Sequence, residues 1–281
     1  MSDLQILDAV VSAHTALRQK KPLVQCLTNT VSSNFMANVL LAAGAAPAMV
    51  DNPEEVAAFV AVADAVLVNL GTPTAAQVEA MRLAVAAAHR AGCPWVLDPI
   101  GAGGLAWRGG VAAQLLDFKP AVIRGNASEI IGLAGLGGGN RGFDSSNDPA
   151  DSLPAARELL LHASAVSASG PVDHVLGLHR PDDAPQQVRL VRVAGGSALL
   201  PRVTATGCSL GALVAAYTSV AASPLVGLVA AHVHFAVAAE LAEEQARGPG
   251  SFAVAFIDAL DRVDSALIRE RARLDSSVLE G

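Results

Sequence analysis

The sequence predicts an α/β fold with a mostly parallel central sheet covered by helices on both faces. Three observations carry that reading. Apolar runs of strand length alternate with stretches of helix length, the pattern of repeated βαβ units. The runs are continuous in Val, Leu, Ile and Ala, as expected of strands buried on both faces. Polar or glycine-rich residues follow nearly every run, and open parallel sheets place their ligands beyond the carboxyl ends of their strands.

The elements follow in order. Met1 to Lys21 carries Asp3 and Asp8 among apolar residues and reads as an amphipathic helix, not a signal peptide. Pro22 to Thr28 is a strand, and Val31 to Ala43 a helix stopped by Gly44. Pro47 to Val50 is a short strand. Asn52-Pro53-Glu54-Glu55 is a helix start, with a capping residue, Pro at the first helical position, then acids. Ala65 to Leu70 is a strand. Thr74 to Arg90 is a helix with Val78, Met81, Val85 and Ala88 on one face, ending at Gly92. Strands at Pro94 to Leu97 and Ala121 to Ile123, a helix opening at Asn126 and a strand at Ser164 to Ala168 continue the alternation. Leu136 to Asp151 is the one low-complexity stretch. Its Gly137-Gly138-Gly139-Asn140 is a surface loop and not a phosphate cradle, because no Lys-Ser/Thr follows it. The chain is expected to end in three helices, Gly207 to Val220, Pro224 to Ala246 and Ser251 to Arg273. With no repeat and no linker in view, residues 1–281 read as a single domain.

Composition narrows the function classes. At 281 residues and 52% hydrophobic, the chain can bury a substantial core, and with only 4% aromatics that core is mainly Ala, Val and Leu. A formal net charge of -7 and no Lys/Arg run argue against a nucleic-acid partner and against an anionic membrane surface. The long apolar stretch Gly211 to Ala239 is interrupted by Ser223-Pro224 and carries His232 and His234, so it reads as two buried helices and not as a membrane span. Cys26, Cys93 and Cys208 are scattered, which fits neither a disulfide framework nor a zinc site and points to the cytoplasm. His232 and His234, two apart on a helix, face different ways and do not share a metal.

The candidate chemistry lies after the strands: Thr28-Asn29, Met49, Asn69 with Gly71, Asp98 to Gly103, Arg124-Gly125-Asn126, and Ser169-Gly170. Thr204-Ala205-Thr206-Gly207-Cys208-Ser209-Leu210-Gly211 opens a long apolar helix. Small residues let its backbone N–H groups converge on an anion such as a phosphoryl group, with the helix dipole adding to them. The alternative is an ordinary small-residue helix start with Cys208 packed inward. Asn126 to Glu129 also has two readings: a capping box, or a Glu129 that holds magnesium and its waters beside nucleotide phosphates with Asp98 across the cleft.

Taken together, Thr28-Asn29, Asn34 to Asn38, Gly44 to Met49, Asn69 to Thr72, Leu97 to Gly103, Ile123 to Asn126 with Glu129, Gly142 to Ser145, and Thr206-Gly207-Cys208 resemble the hydroxyethylthiazole kinase family in content and order. The resemblance implies a ribokinase-like fold and a homotrimer with active sites at subunit interfaces. It implies transfer of the ATP γ-phosphoryl group to 4-methyl-5-(2-hydroxyethyl)thiazole in thiamine biosynthesis or salvage, with Mg2+ as cofactor. By motif position it places Met49 and Asn29 at the thiazole, and Arg124 and Ser169 at ATP. Asp98 and Glu129 are placed at the metal. Ala205, Thr206, Gly207 and Cys208 form the anion hole, with Cys208 where many ribokinase-like enzymes carry an Asp base. Four departures stand out: Ala205 for the family's usual Gly, Ser169 for Thr, Gln25 for His, and the Gly137 to Asn140 insertion. Cys208 is a weak base at the ordinary thiol pKa of about 8.5, which a helix start is expected to lower. Competing readings are another ribokinase-like kinase, such as one for hydroxymethylpyrimidine, a catalytically weak nucleotide-binding module, and an oligomeric scaffold.

Overall fold

The computed structural model describes residues 1–136, 148–180 and 185–279. The Gly137 to Asn140 insertion and the Gly142 to Ser145 motif therefore lie outside the described residues.

The first half alternates as expected: α1 (Asp3–Lys20), β1 (Leu23–Leu27), α2 (Ser33–Ala43), β2 (Ala46–Ala48), α3 (Val56–Phe59), β3 (Ala65–Asn69), α4 (Ala75–Ala91) and β4 (Trp95–Asp98). Then come α5 (Ala106–Leu115), β5 (Val122–Asn126), α6 (Ala127–Leu133), α7 (Leu153–Leu159) and β6 (Ala165–Ser169). Local signals explain several boundaries. Gly44 and Gly92 end α2 and α4 with φ of 96° and 66°, a conformation glycine adopts without a Cβ penalty. Thr74 and Asn126 cap α4 and α6 through reciprocal capping boxes with Gln77 and Glu129. The Asn52 start yields a turn and then a single helical turn.

The last third departs from expectation. After β6 come two strands that apolar runs alone did not mark, β7 (Val172–His179) and β8 (Gln187–Ala194). Next are α8 (Thr206–Thr218), α9 (Pro224–Glu243), α10 (Pro249–Arg262), α11 (Ser265–Arg271) and β9 (Arg273–Leu279). The expected third helix is thus two. Asp264 accepts a hydrogen bond from Leu267 N, so it caps a new helix and ends the old one.

All strands join one nine-stranded sheet, in the order β2-β1-β3-β4-β5-β6-β7-β8-β9. β2 through β6 run parallel, and β7, β8 and β9 follow antiparallel. Side chains alternate between two apolar layers. Leu67, Val96 and Val122 face the layer of α1, α2 and α8 to α11; Val66, Leu97 and Ile123 face that of α3 to α7. α9 is long and apolar enough to cross a membrane, but 94% of its apolar window is buried within the protein. It is a core helix, as its interrupted pattern suggested.

Candidate active site

The alternation that builds the core also aims the site. Asn69, Asp98 and Arg124 each lie two residues beyond Leu67, Val96 and Val122, so they point toward the same helical layer. Pairing sets them side by side: Asn69 lies opposite Asp98, and Arg124 opposite Ser167. The start of α8 lies over them. A Cβ on Gly211 would come within 3.1 Å of Asp98 Oδ2, so only a glycine lets the helix sit this close without a shift.

A hydrogen-bonded chain crosses the strand ends. Asn29 Nδ2 donates to Asn69 Oδ1 at 3.1 Å, and Asn69 Nδ2 donates to Asp98 Oδ2 at 2.8 Å. Arg124 Nη1 lies 3.7 Å from the same carboxylate oxygen. Its shorter contacts go elsewhere: Nη1 donates to the Gly207 carbonyl at 2.9 Å, and Nε and Nη2 donate to Ser169 Oγ at 3.2 and 3.0 Å. One guanidinium thus gathers the ends of β4, β5 and β6 and the first turn of α8. Cys208 closes the ring, with its Sγ 3.8 Å from Asn29 Nδ2.

The acids are buried and short of charge compensation. Asp98 is fully buried, and its Oδ1 has no hydrogen-bond partner among the described residues. Burial raises its pKa well above the usual carboxylate range. Arg124 opposes that rise, and neighbouring Glu129 adds to it. Burial also raises Glu129, although the N–H groups of Asn126 and Gly101 donate to its two oxygens at 2.8 and 3.2 Å. Glu129 therefore completes the capping box and is close enough to Asp98 to raise that carboxyl further. Among the described residues no group of three or more His, Cys, Asp or Glu forms a metal cluster.

The Cys208 thiol does not follow expectation. Burial, with Asp98 adding to it, raises its pKa, so the helix start does not make it a thiolate. The first four N–H groups of a helix lack intrahelical partners, here those of Ala205 to Cys208, and no side chain caps them. The Thr206 hydroxyl is directed at the carbonyls of Leu200 and Val203, at 2.9 and 3.0 Å, so what Thr206 offers a ligand is its backbone N–H. Ala205 holds the left-handed conformation, φ 72°, which glycine adopts without a Cβ penalty.

Met49 lies just past β2, at the same end of the sheet, half-buried against the helical layer of α2 and α8. Gln25, the departure from His, donates to the carbonyls of Val50 and Val56, both at 3.1 Å, and so fastens the segment that follows Met49. Asn69 is the site residue that strand-end inspection noted but assigned no role; its place between Asn29 and Asp98 gives it one. Gly71 is another: a Cβ there would come within 2.3 Å of Asn29 Nδ2. An open cleft of about 550 Å³ lies at the opposite end of the strands, lined by Pro94, Lys119, Pro120 and His162 among others, and it contains none of these site residues.

The fold is the ribokinase-like one. A pyridoxal kinase of Staphylococcus aureus, solved with ADP, superposes with a TM-score of 0.62 over 92% of this chain and 99% of that one, and at 14% identity it shares the fold alone. The family follows from closer matches. The hydroxyethylthiazole kinase family model matches residues 14–266. A hydroxyethylthiazole kinase of Rhodococcus erythropolis is 61% identical over 98% of this chain and 97% of its own length. The hydroxyethylthiazole kinase structure from Pyrococcus horikoshii superposes with a TM-score of 0.84 at 36% identity, over 96% of this chain and 99% of that one. The chain belongs to the hydroxyethylthiazole kinase family.

Proposed function

We propose that this chain transfers the γ-phosphoryl group of ATP to the hydroxyl of 4-methyl-5-(2-hydroxyethyl)thiazole. The observation that carries the reading is the convergence on Arg124 of three strand ends and the uncapped start of α8. Phosphoryl transfer asks a protein mainly for position and charge compensation. Arg124 and Ser169 hold the nucleotide phosphates, since a fixed guanidinium fork matches phosphate oxygens. The N–H groups of Ala205 to Cys208 bind the moving phosphoryl group as it leaves the β-phosphate and bonds to the alcohol oxygen. Asn29 and Met49 seat the thiazole on the β1–β2 side of Cys208.

The residues fit a magnesium ion. Asp98 Oδ1 is buried without a hydrogen-bond partner among the described residues, and two acids share the site with one arginine. Magnesium takes few carboxylates and keeps its waters, so Asp98 and Glu129 suffice. When bound, it supplies positive charge to the triphosphate. The alcohol proton leaves toward Cys208 or water. A thiol whose pKa is raised accepts it poorly, so Cys208→Ala is expected to keep part of the turnover. Cys208→Asp is expected to keep or raise it, because a carboxylate is ionised far more often at neutral pH. Turnover numbers of the folded variants at saturating substrates check both outcomes.

The reading includes a homotrimer with interfacial sites. β2 is an edge strand beside the substrate side of the site, and Val31 and Leu41, at the turn before α2 and on α2, are 62% and 60% exposed. It also takes residues 1–281 as one catalytic domain working in the cytoplasm, supported by one continuous sheet and by three cysteines outside any disulfide. The deciding experiment is a magnesium-dependent kinase assay on thiazole and pyrimidine alcohols. Phosphorylation of the thiazole is expected; transfer to hydroxymethylpyrimidine alone overturns the substrate. Light scattering that finds a monomer removes the interfacial site.

A further inference from the structure

Within α9 the residues around His232 are apolar: Val229, Ala230, Ala231, Val233 and Phe235 are all buried, and His232 is buried with them. An imidazole among such neighbours costs free energy unless its nitrogens are satisfied. Both are. His232 Nδ1 lies 2.7 Å from Asp173 Oδ2, and Nε2 lies 3.0 Å from Ser167 Oγ. The carboxylate fixes the tautomer: Nδ1–H donates to Asp173, and Nε2 accepts from the Ser167 hydroxyl.

The order Ser167–His232–Asp173 is that of a hydrolytic triad, but its surroundings exclude that chemistry. Ser167 is fully buried in β6, between β5 and β7, and no substrate reaches its hydroxyl. What the trio touches next is more informative. Asp173 Oδ1 accepts from the backbone N–H of Gly170 at 2.9 Å. Gly170 belongs to the tight turn between β6 and β7. A Cβ on it would come within 2.4 Å of Pro149, so the turn is clamped from that side as well. The residue before Gly170 is Ser169, whose Oγ accepts from both Nε and Nη2 of Arg124. Accepting twice, Ser169 keeps its own hydrogen to donate to a ligand oxygen.

We propose that His232 and Asp173 are positioning residues: a strut from the core helix that fixes the β6–β7 turn, and through Ser169 the Arg124 guanidinium, for the nucleotide phosphates. The inference rests on the reading of Ser169 and Arg124 as the nucleotide contacts. The strut touches neither substrate, and no atom of it reacts. Its effect is to hold one hydroxyl and one guanidinium where the triphosphate meets them, and a displacement of either weakens nucleotide binding before it alters the alcohol side of the site.

The test is steady-state kinetics of His232→Leu, Asp173→Asn and Ser169→Ala, alone and combined. His232→Leu is expected to raise the KM for ATP about three- to tenfold, the loss expected when a positioning hydrogen bond is removed. The KM for the alcohol and kcat are expected to move less than about twofold, since no reacting group changes. Asp173→Asn is expected to be milder. Its amide keeps both contacts if the imidazole takes the other tautomer, with Ser167 then accepting. In the Ser169→Ala background, His232→Leu is expected to add almost nothing, because the strut then has no hydroxyl to place. A role in packing alone lowers the melting temperature and the active fraction without splitting the two KM values. An unchanged ATP KM in folded His232→Leu overturns the proposal, as does a full effect that persists in the Ser169→Ala background. If His232→Leu does not fold, Asp173→Ala, which removes the contacts to both His232 and Gly170, decides on the same readouts. A Ser169→Ala enzyme with wild-type ATP KM brings down the nucleotide assignment and the strut with it. A Ser169→Ala effect alongside a silent His232→Leu brings down the strut alone.

Discussion

The two ends of α8 are both buried among polar groups, and they treat charge in opposite ways. At its start, Gly207 and Cys208 meet Arg124 and Asp98; burial raises Asp98 and Glu129 toward neutrality, and Asp98 Oδ1 has no hydrogen-bond partner among the described residues. At its other end, Tyr217 Oη lies 2.8 Å from His234 Nδ1, and His234 Nε2 donates to the Leu260 carbonyl at 3.0 Å. His14 packs edge-on against His234, with ring centroids 5.1 Å apart. Burial holds His234 down to about 3 and His14 down to about 4, so both rings are neutral at ordinary pH. One end sets a guanidinium against two buried acids whose protonation burial favours. The other keeps its histidines neutral beside the Arg18 guanidinium, which shares the Leu260 carbonyl with His234. Buried polarity therefore does not by itself mark function; the informative case is a charge left short of partners.

Arg124→Ala tests that contrast most severely. It removes the cation from between two buried acids, and loss of one phosphoryl-binding donor typically costs about a hundred- to a thousandfold in turnover. ATP affinity is expected to fall more than thiazole affinity. Calorimetry with both ligands checks this, and equal losses with a lowered melting temperature make Arg124 a folding residue instead.

Gly207→Ala separates stability from activity. A Cβ on Gly207 would lie 3.6 Å from Arg124 Nη1, an ordinary contact, so the empty protein tolerates it. Alanine also favours the helix by up to about 1 kcal/mol. Turnover is expected to fall at least about tenfold, because the methyl group occupies space meant for the phosphoryl oxygens. A melting temperature held or raised alongside that loss is the expected signature; full activity would empty the anion hole of its role.

Acid probes the opposite end. His14 and His234 take up protons near 6.5 when unfolded but resist them down to about 4 and about 3 when folded. Below 6.5 the unfolded chain therefore binds more protons, and stability falls with pH, on the order of 2 kcal/mol per ring at pH 5. Asp98 and Glu129, whose folded pKa values are raised, act with the other sign and gain stability on acidification. Urea unfolding of wild type and His234→Phe at pH 7 and pH 5 isolates the histidine part. The variant is expected to lose less stability between the two, and an identical loss breaks the assignment.

Ala205→Gly is the smallest expected change. A left-handed alanine costs about 1–2 kcal/mol. Glycine relieves that but adds about 0.4–1 kcal/mol of unfolded-chain entropy. A net gain within about 1 kcal/mol is expected by urea unfolding, with activity kept. A marked loss of stability means that the Ala205 methyl group packs in a way that offsets the strain.

The parallel half of the sheet was legible in the sequence because its strands are buried on both faces and read as unbroken apolar runs. β7 to β9 were not. Asp173, His174, Arg189 and Arg192 interrupt their pattern, and β9 becomes a strand only by pairing with β8, Leu274 opposite Val193. That partner lies far along the chain, where no local window sees it. The missed break in the last helix did carry a local signal, Asp264 as a cap.

The sequence by itself determined which residues stand at the strand ends, because strand length and alternation are local: Asn29, Asn69, Asp98, Arg124 and Ser169 could be read off in order. It also determined the glycine and small-residue start of α8. Only the tertiary structure decided what these residues do to one another. Asp98 is raised because a helix from over a hundred residues later covers it, and Cys208 is held as a thiol by that same burial and by Asp98. Charge and proton affinity follow the distance to groups brought together by folding and the water they exclude, and neither is encoded in spacing along the chain.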